Sequence, residues 1–292
     1  MTTQMMPATY AYCPLCGSDE FRFAFHDKSE GFHFLILECR KCGLLVSNPR
    51  LKQRIFNAIS GVDSHQVDVC SRNLHKYKWL FNFLPPGSSH ARLLDVGCCR
   101  GEFVGLALKQ GYDAYGVDMV PVYVEYARNS IGERFALVDS DLSAAVEKLD
   151  VTSFDIITLW DVIEHIDEPI EFGRNLAKLL RPGGSIFLRT PNRRGQMIKR
   201  RLLHPFFGDR ITYVAPIEHI QIFGPSNIRM LADLCGLEMT RCEPSDVEAY
   251  GDRGGFFDFV KRFVYWPVIR STFAITGWNL GHSLNCVLTK VA

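Results

Sequence analysis

What the chain lacks narrows its function before any motif does. Its 33 lysines and arginines against 32 aspartates and glutamates leave a net charge of +1 over 292 residues. No global field of either sign is available to hold a nucleic acid, so any basic surface must be local. The aromatic stretch from Phe256 to Arg270 is broken by Asp258, Lys261 and Arg262 and is too polar for a transmembrane helix. The first residues, Met1 to Pro7, lack a charged segment followed by an apolar core, so no secretory signal is expected. The dinucleotide fingerprint G-x-G-x-x-G is also missing: it would need glycine at 97, 99 and 102, where the chain has Gly97, Cys99 and Glu102. No internal repeat or low-complexity tract occurs. A hydrophobic content of 47% is enough for a full α/β core with a small accessory module, in a soluble protein expected in the cytoplasm.

Cysteine, by contrast, is plentiful, with ten in the chain. In a reducing compartment, pairs at short spacing indicate metal ligation more than disulfides. Cys13-Pro-Leu-Cys16 and Cys39-Arg-Lys-Cys42 are two C-x-x-C knuckles, each followed by a glycine, Gly17 or Gly43, that suits the tight turn around a metal. Between them Phe21–Phe25 and Phe32–Leu37 read as short strands, the pattern of a zinc ribbon over residues 1–50. Four unrelated buried cysteines are the bland alternative. A shell of four cysteines is closed and leaves no position for water, so the expected Zn2+ is structural, and it supplies much of the stability of so small a module. A linker over 51–66 and a helix from Val67 to Leu84 lead onward. Arg72, Lys76 and Lys78 on that helix read as a solvated basic face.

The chain is organised around Leu93-Leu-Asp-Val-Gly-Cys-Cys-Arg-Gly-Glu-Phe103, an apolar strand that runs through glycines into a helix. Glycine lets the backbone turn tightly and approach a ligand closely. This run resembles motif I of the class I S-adenosylmethionine (SAM)-dependent methyltransferases, matched at Asp95, Gly97 and Gly101, with Cys99 in the slot of the central glycine. Ala114-Tyr-Gly-Val-Asp118 reads as a second strand ending in an acid, at the spacing at which a doubly wound sheet places a ribose-binding carboxylate. The alternative is an Asp that only caps the following helix. The resemblance implies that Asp118, with the adjoining Met119, holds the SAM ribose. It also implies that Asp141 with Leu142, rather than Asp139, meets the adenine, and that Trp160 lines the floor near the sulfonium.

From Leu93 onward strands and helices alternate, which predicts a doubly wound, mostly parallel sheet. Strands are expected at 93–96, 114–117, 135–138, 154–160 and 185–190, with helices at 102–110, 122–129, 143–149 and 169–180. Leu237–Arg241 and Leu284–Lys290 complete seven strands as an antiparallel pair. The run Asp161-Val-Ile-Glu-His165 followed by Asp167-Glu-Pro169 resembles the ubiquinone-type O-methyltransferases and related sugar methyltransferases. It lacks the Asn/Asp-Pro-Pro-Tyr box of many nucleobase and protein amine methyltransferases. Glu164 could equally satisfy helix amides. Pro216-Ile-Glu-His219-Ile-Gln-Ile-Phe223 is similar to the segment that closes over the acceptor in that group.

These resemblances imply methyl transfer from SAM to an oxygen, with a carbon the less favoured acceptor, of a sugar, quinol or secondary metabolite. His219 and His165 are the candidate bases, because imidazole titrates near neutral pH. The methyltransferase domain spans 67–292. A basic loop at 193–215 carries five cations and two aromatics in Arg193–Phe207 and suits a phosphate-bearing or lipid-linked acceptor, or a peripheral membrane contact; a solvated loop is the equal alternative. An aromatic insertion at 243–282 is open to four readings: an acceptor lid, a dimer face, an interfacial helix, or, the plainest, a helix packed on its own domain. Two rivals remain at this level: a zinc-ribbon RNA methyltransferase, against which the balanced charge of the ribbon counts, and a non-enzymatic SAM-binding protein, for which Cys99 is the argument.

Overall fold

A computed structural model of the chain describes residues 10–29, 31–50, 77, 80–81, 90–139, 141–245 and 265–291. The expected linker, most of the helix at 67–84 with Arg72, Lys76 and Lys78, and the 246–264 part of the aromatic insertion lie outside the described residues.

Three strands open the chain: β1 (Phe21–Ser29), β2 (Phe32–Cys39) and β3 (Leu45–Asn48). The core then runs β4 (Arg92–Val96), α1 (Glu102–Lys109), β5 (Asp113–Asp118), α2 (Pro121–Ile131), β6 (Phe135–Leu137), α3 (Leu142–Glu147), β7 (Phe154–Trp160), α4 (Pro169–Leu179) and β8 (Leu180–Pro191). It closes with α5 (Arg193–Phe207), β9 (Gln221–Ile222), α6 (Pro225–Leu234), β10 (Leu237–Pro244), α7 (Trp266–Thr276) and β11 (Ser283–Lys290). A seven-stranded sheet of order β10-β11-β8-β7-β4-β5-β6 is parallel from β8 to β6, while β11 runs antiparallel between β10 and β8. This is the expected Rossmann-like architecture. Its central strands are apolar on both faces, with Leu93, Leu94, Val117 and Ile157 buried, because helices cover both sides. Parallel pairing brings the carboxyl ends of β4, β5 and β7 to one edge, and the strand order reverses there around β4 and β7.

Two features depart from the sequence-based expectation. Arg193–Phe207 is a helix, not a loop: Asn192 caps it by accepting from the Arg194 amide at 3.1 Å. Gly195 lets the helix lie against the chain at Gly281, whose carbonyl oxygen occupies the space a Cβ would need. The second departure concerns the cysteine-bearing front end. Its antiparallel sheet has the order β1-β2-β3-β9, so its fourth strand comes from deep within the catalytic half. Phe25, Phe34, Ile36 and Leu45 from the front share one apolar cluster with Tyr213, Val214, Ile217 and Ile222. Front end and methyltransferase half therefore share a core.

Candidate active site

At the carboxyl end of β4 the chain turns through three left-handed positions, Gly97 (φ 75°), Cys99 (φ 48°) and Gly101 (φ 80°). Glycine is required at the first and last. A Cβ on Gly97 would sit 2.7 Å from a Val162 methyl, and one on Gly101 2.6 Å from the Phe135 ring. At Cys99 a β-carbon is tolerated against a conformational cost of about 1–2 kcal/mol. Cys99→Gly is therefore expected to leave SAM binding intact or tighten it, and thermal melts should show no loss of stability. A severe loss of SAM affinity by calorimetry would show instead that the thiol is used.

Asp95 is buried and accepts from the Thr158 hydroxyl at 2.7 Å, which ties β4 to β7. Asp118, at the end of β5, accepts the Cys99 amide at 2.8 Å on one oxygen and the Val120 amide at 2.9 Å on the other. Burial pushes its carboxyl up, and these amides oppose the shift. Each oxygen keeps a lone pair, so the carboxylate can hold the glycine turn and still accept two ribose hydroxyls. Trp160 ends β7 next to this turn. Its ring packs edge-on against Tyr77 and Phe103, and its Nε1 is buried without a partner among the described residues. The glycine turn, the acid and this orphaned donor fit a nucleoside-bearing ligand. Met119 is about half exposed (46%) beside Asp118 and Leu142 is buried, whereas the Asp141 carboxylate caps α3 by accepting from the Ser143 amide at 2.8 Å. Asp118→Ala should weaken SAM by about 1.5–3 kcal/mol for each charge-assisted hydrogen bond lost, read by calorimetry. Unchanged affinity would remove the assignment.

The second half of the site lies where β7 and β8 end. Asp161 follows Trp160 in a left-handed conformation (φ 58°) and pairs with the guanidinium of the buried Arg189, which Ser245 and Ser283 also contact. The next turn carries Glu164 and His165. Glu164 is fully buried: one oxygen accepts from the Thr190 hydroxyl at 2.9 Å, and the other has no partner among the described residues. Burial pushes its carboxyl up to about 7. His165 and His219 come together across the chain with ring centroids 5.3 Å apart. The His219 Nδ1 donates to the Val214 carbonyl at 2.9 Å and the His165 Nδ1 to the Glu218 carbonyl at 2.6 Å. In the neutral rings this leaves both Nε2 lone pairs free. Burial, with His165 adding to it, lowers His219 to about 4. One ligand atom from each of Glu164, His165 and His219 lies within 4.8 Å of the others, a donor set that also suits a divalent cation. Sequence reading singled out both histidines, but not Asp161 or Arg189 as an ion pair, nor Thr190 as the partner of Glu164.

At the front end the four cysteine sulfurs converge. Cys13 and Cys42 lie 3.6 Å apart, Cys16 and Cys39 3.5 Å, and all four within 4.8 Å of one another. A tetrahedral zinc centre with four sulfur ligands has edges of about 3.8 Å, so the thiols fit such an ion with small adjustments. Gly17 (φ 69°) and Gly43 (φ 74°) close the two knuckles, donating their amides to the Cys13 and Cys39 carbonyls at 2.9 and 2.8 Å.

The sequence model of the family described as "Methyltransferase domain" matches residues 65–241, more than half of the chain. A ubiquinone biosynthesis O-methyltransferase of Vibrio cholerae is 28% identical over 182 residues, covering 60% of this chain and 69% of that protein. A protein of the same name from Xanthomonas campestris is 37% identical over 106 residues, 35% of this chain and 44% of the other. Among solved structures, a chain of the complex between the Haloferax volcanii Trm112 methyltransferase activator and a candidate methyltransferase aligns with a TM-score of 0.56 at 15% identity. The alignment covers 81% of this chain and 98% of that one, a likeness of fold alone.

Proposed function

The chain belongs to the methyltransferase-domain family and is a SAM-dependent methyltransferase, and on that premise we propose that it methylates a hydroxyl oxygen of a small molecule. When bound, SAM supplies an electrophilic methyl carbon on a sulfonium. The protein's own part is to align the acceptor oxygen and take its proton. Asp95, Gly97, Cys99, Gly101 and Asp118 form the cofactor cradle, with Trp160 beside it. His219 is the base, and the observation that carries the reading is its fixed tautomer: Nδ1–H is committed to the Val214 carbonyl, so Nε2 is left as the acceptor. Burial keeps that ring neutral at physiological pH. One oxygen of Glu164 lies within 4.8 Å of a nitrogen of each histidine, and its raised pKa suits a group that both takes and returns a proton. Zn2+ in the Cys13, Cys16, Cys39 and Cys42 shell has a structural role.

The acceptor proposed is hydroxylated and phosphate-bearing or lipid-linked. In support, α5 exposes Ile198, Leu202 and Phe206 at successive i+4 positions beside Arg194 and Arg201, with no acid in the helix. Such a face suits peripheral contact with an anionic membrane. Among the described residues no helix is long and apolar enough to cross a membrane. The test is transfer of labelled methyl from SAM to a panel of sugar nucleotides, quinols and phenols, with the product's methyl position read by NMR. Label on an O-methyl group is the expected result. A C-methyl product, or transfer confined to RNA and suppressed by salt, would overturn it. Sedimentation with vesicles containing phosphatidylglycerol, and its loss in Leu202→Glu, tests the membrane face.

A further inference from the structure

The front end reaches the base-bearing segment through several polar contacts. Asp27, on β1, is 2% exposed and pairs with no cation among the described residues, a rare burial for a carboxylate. Its Oδ2 accepts the backbone amides of Tyr213 at 2.9 Å and Val214 at 2.8 Å, and the Thr212 hydroxyl at 3.3 Å. The same hydroxyl accepts the Ala215 amide at 3.0 Å, at a turn where Ala215 itself is left-handed (φ 49°). Val214, with its amide bound to Asp27, presents its carbonyl to the Nδ1–H of His219. On the far side of the histidine, Ser47 of β3 donates its hydroxyl to the His219 carbonyl at 2.9 Å and its amide to the Ile220 carbonyl at 3.0 Å. Tyr10 donates to the Ile220 carbonyl as well, at 3.1 Å. Both ends of the segment are thus fastened to front-end residues.

We propose that Asp27 and Ser47 are positioning residues for methyl transfer, so that the cysteine-bearing front end is a working part of the acceptor site. The inference rests on the reading of His219 as the base. The buried carboxylate accepts four donors, the Lys28 amide at 2.9 Å on Oδ1 and the three from residues 212–214 on Oδ2, and so fixes the Thr212 hydroxyl and the peptide planes that lead up to Val214. The Thr212 hydroxyl held in this way accepts the Ala215 amide, which fixes the 214–215 peptide plane and so the direction of the Val214 carbonyl, and that carbonyl decides which nitrogen of His219 carries the proton. Without the anchor the ring can exchange tautomers and turn, and the Nε2 lone pair is no longer held for the acceptor. A misplacement of about 1 Å at a reacting group can cost roughly a hundredfold in rate.

The test uses the full chain with Asp27→Asn and Ser47→Ala, and three measurements: SAM affinity by calorimetry, kcat with the acceptor, and NMR of the histidine nitrogens with amide hydrogen exchange. Asp27→Asn keeps the size of the side chain but removes the charge and turns one oxygen into a donor. It should lower kcat by about 10–100-fold with SAM affinity unchanged, speed exchange at Tyr213 and Val214, and convert the His219 nitrogen pattern from one tautomer to a mixture. Ser47→Ala should produce the same signature at smaller amplitude, and it carries the test if Asp27→Asn does not fold. A His219 tautomer and a 212–215 exchange pattern that stay as in the wild type in the folded variant would overturn the proposal. A mixed tautomer with wild-type kcat would instead overturn His219 as the base, so the two failures are told apart.

Discussion

Replacing His219 by alanine is expected to lower turnover by about two to four orders of magnitude, the usual contribution of a positioned proton acceptor, with SAM affinity nearly intact. The proposed cofactor cradle lies at the ends of β4 and β5, and His219 belongs to the segment before β9, so the variant removes the proposed base without touching that cradle. The pH dependence has a definite sign. His219 is held at about 4, below its ordinary value of 6.5, chiefly by burial. The neutral, proton-accepting form therefore persists through the mildly acidic range, and turnover should show no loss from this group until pH approaches 4. Stability behaves differently. Between pH 6.5 and 4 the unfolded chain takes up a proton at this residue that the folded chain refuses, so stability is lost as pH falls through that window. His219→Ala should flatten that part of the stability profile in chemical denaturation at stepped pH. Full turnover in the variant would exclude His219 and leave His165 as the next candidate. If the trio of Glu164, His165 and His219 holds a cation, the variant should also lose one metal equivalent by elemental analysis.

Much of this site was legible because its chemistry is local in sequence. The glycine turn at 97–101, the acid ending β5 and the Asp161–His165 run each carry their meaning within a few residues, and alternating apolar segments place them at one sheet edge. What could not be read was set by long-range contact. β9 is two residues long and has no pattern of its own, so nothing in Gln221–Ile222 announces that it completes the front sheet against β3. Asp27 sits in the polar run His26-Asp27-Lys28 and looks like a surface residue until Tyr213 and Val214 are brought to it. The helix α5 was hidden by composition: a run of cations with an internal Gly195 and Pro205 reads as loop. Several of those cations turn out to be used within the fold. Arg193 binds Glu38 and the Gly43 carbonyl, Lys199 the Thr212 carbonyl, and Arg200 lies over the Phe25 and Tyr213 rings.

The same shared core sets the expected outcome of Cys39→Ser. If the front end were a separate module, loss of one thiolate would melt it and spare the methyltransferase half. Cys39 is buried in one apolar cluster with Leu15, Leu44 and Val46, and that cluster continues into Phe223, Ile228 and Leu231 of the catalytic half. Asn227 also donates to the Cys42 carbonyl at 2.8 Å, and Arg193 to the Gly43 carbonyl at 2.6 Å, so the second knuckle is held from the other side. Metal binding to small zinc modules is worth about 10–16 kcal/mol in apparent folding free energy, comparable to the whole stability of a typical domain. Even a fraction of that, transmitted through the common core, should lower the melting temperature by about 10 °C or more. We expect the purified protein to carry one zinc per chain in the four-cysteine site and Cys39→Ser to lose it. Hydrogen exchange should then rise together over residues 13–48 and 211–223, while β4 and β5 stay protected. A protein that contains no zinc when freshly prepared would remove the metal. A variant whose front end loses protection alone would show that the sheet formed by β3 and β9 does not couple the two halves.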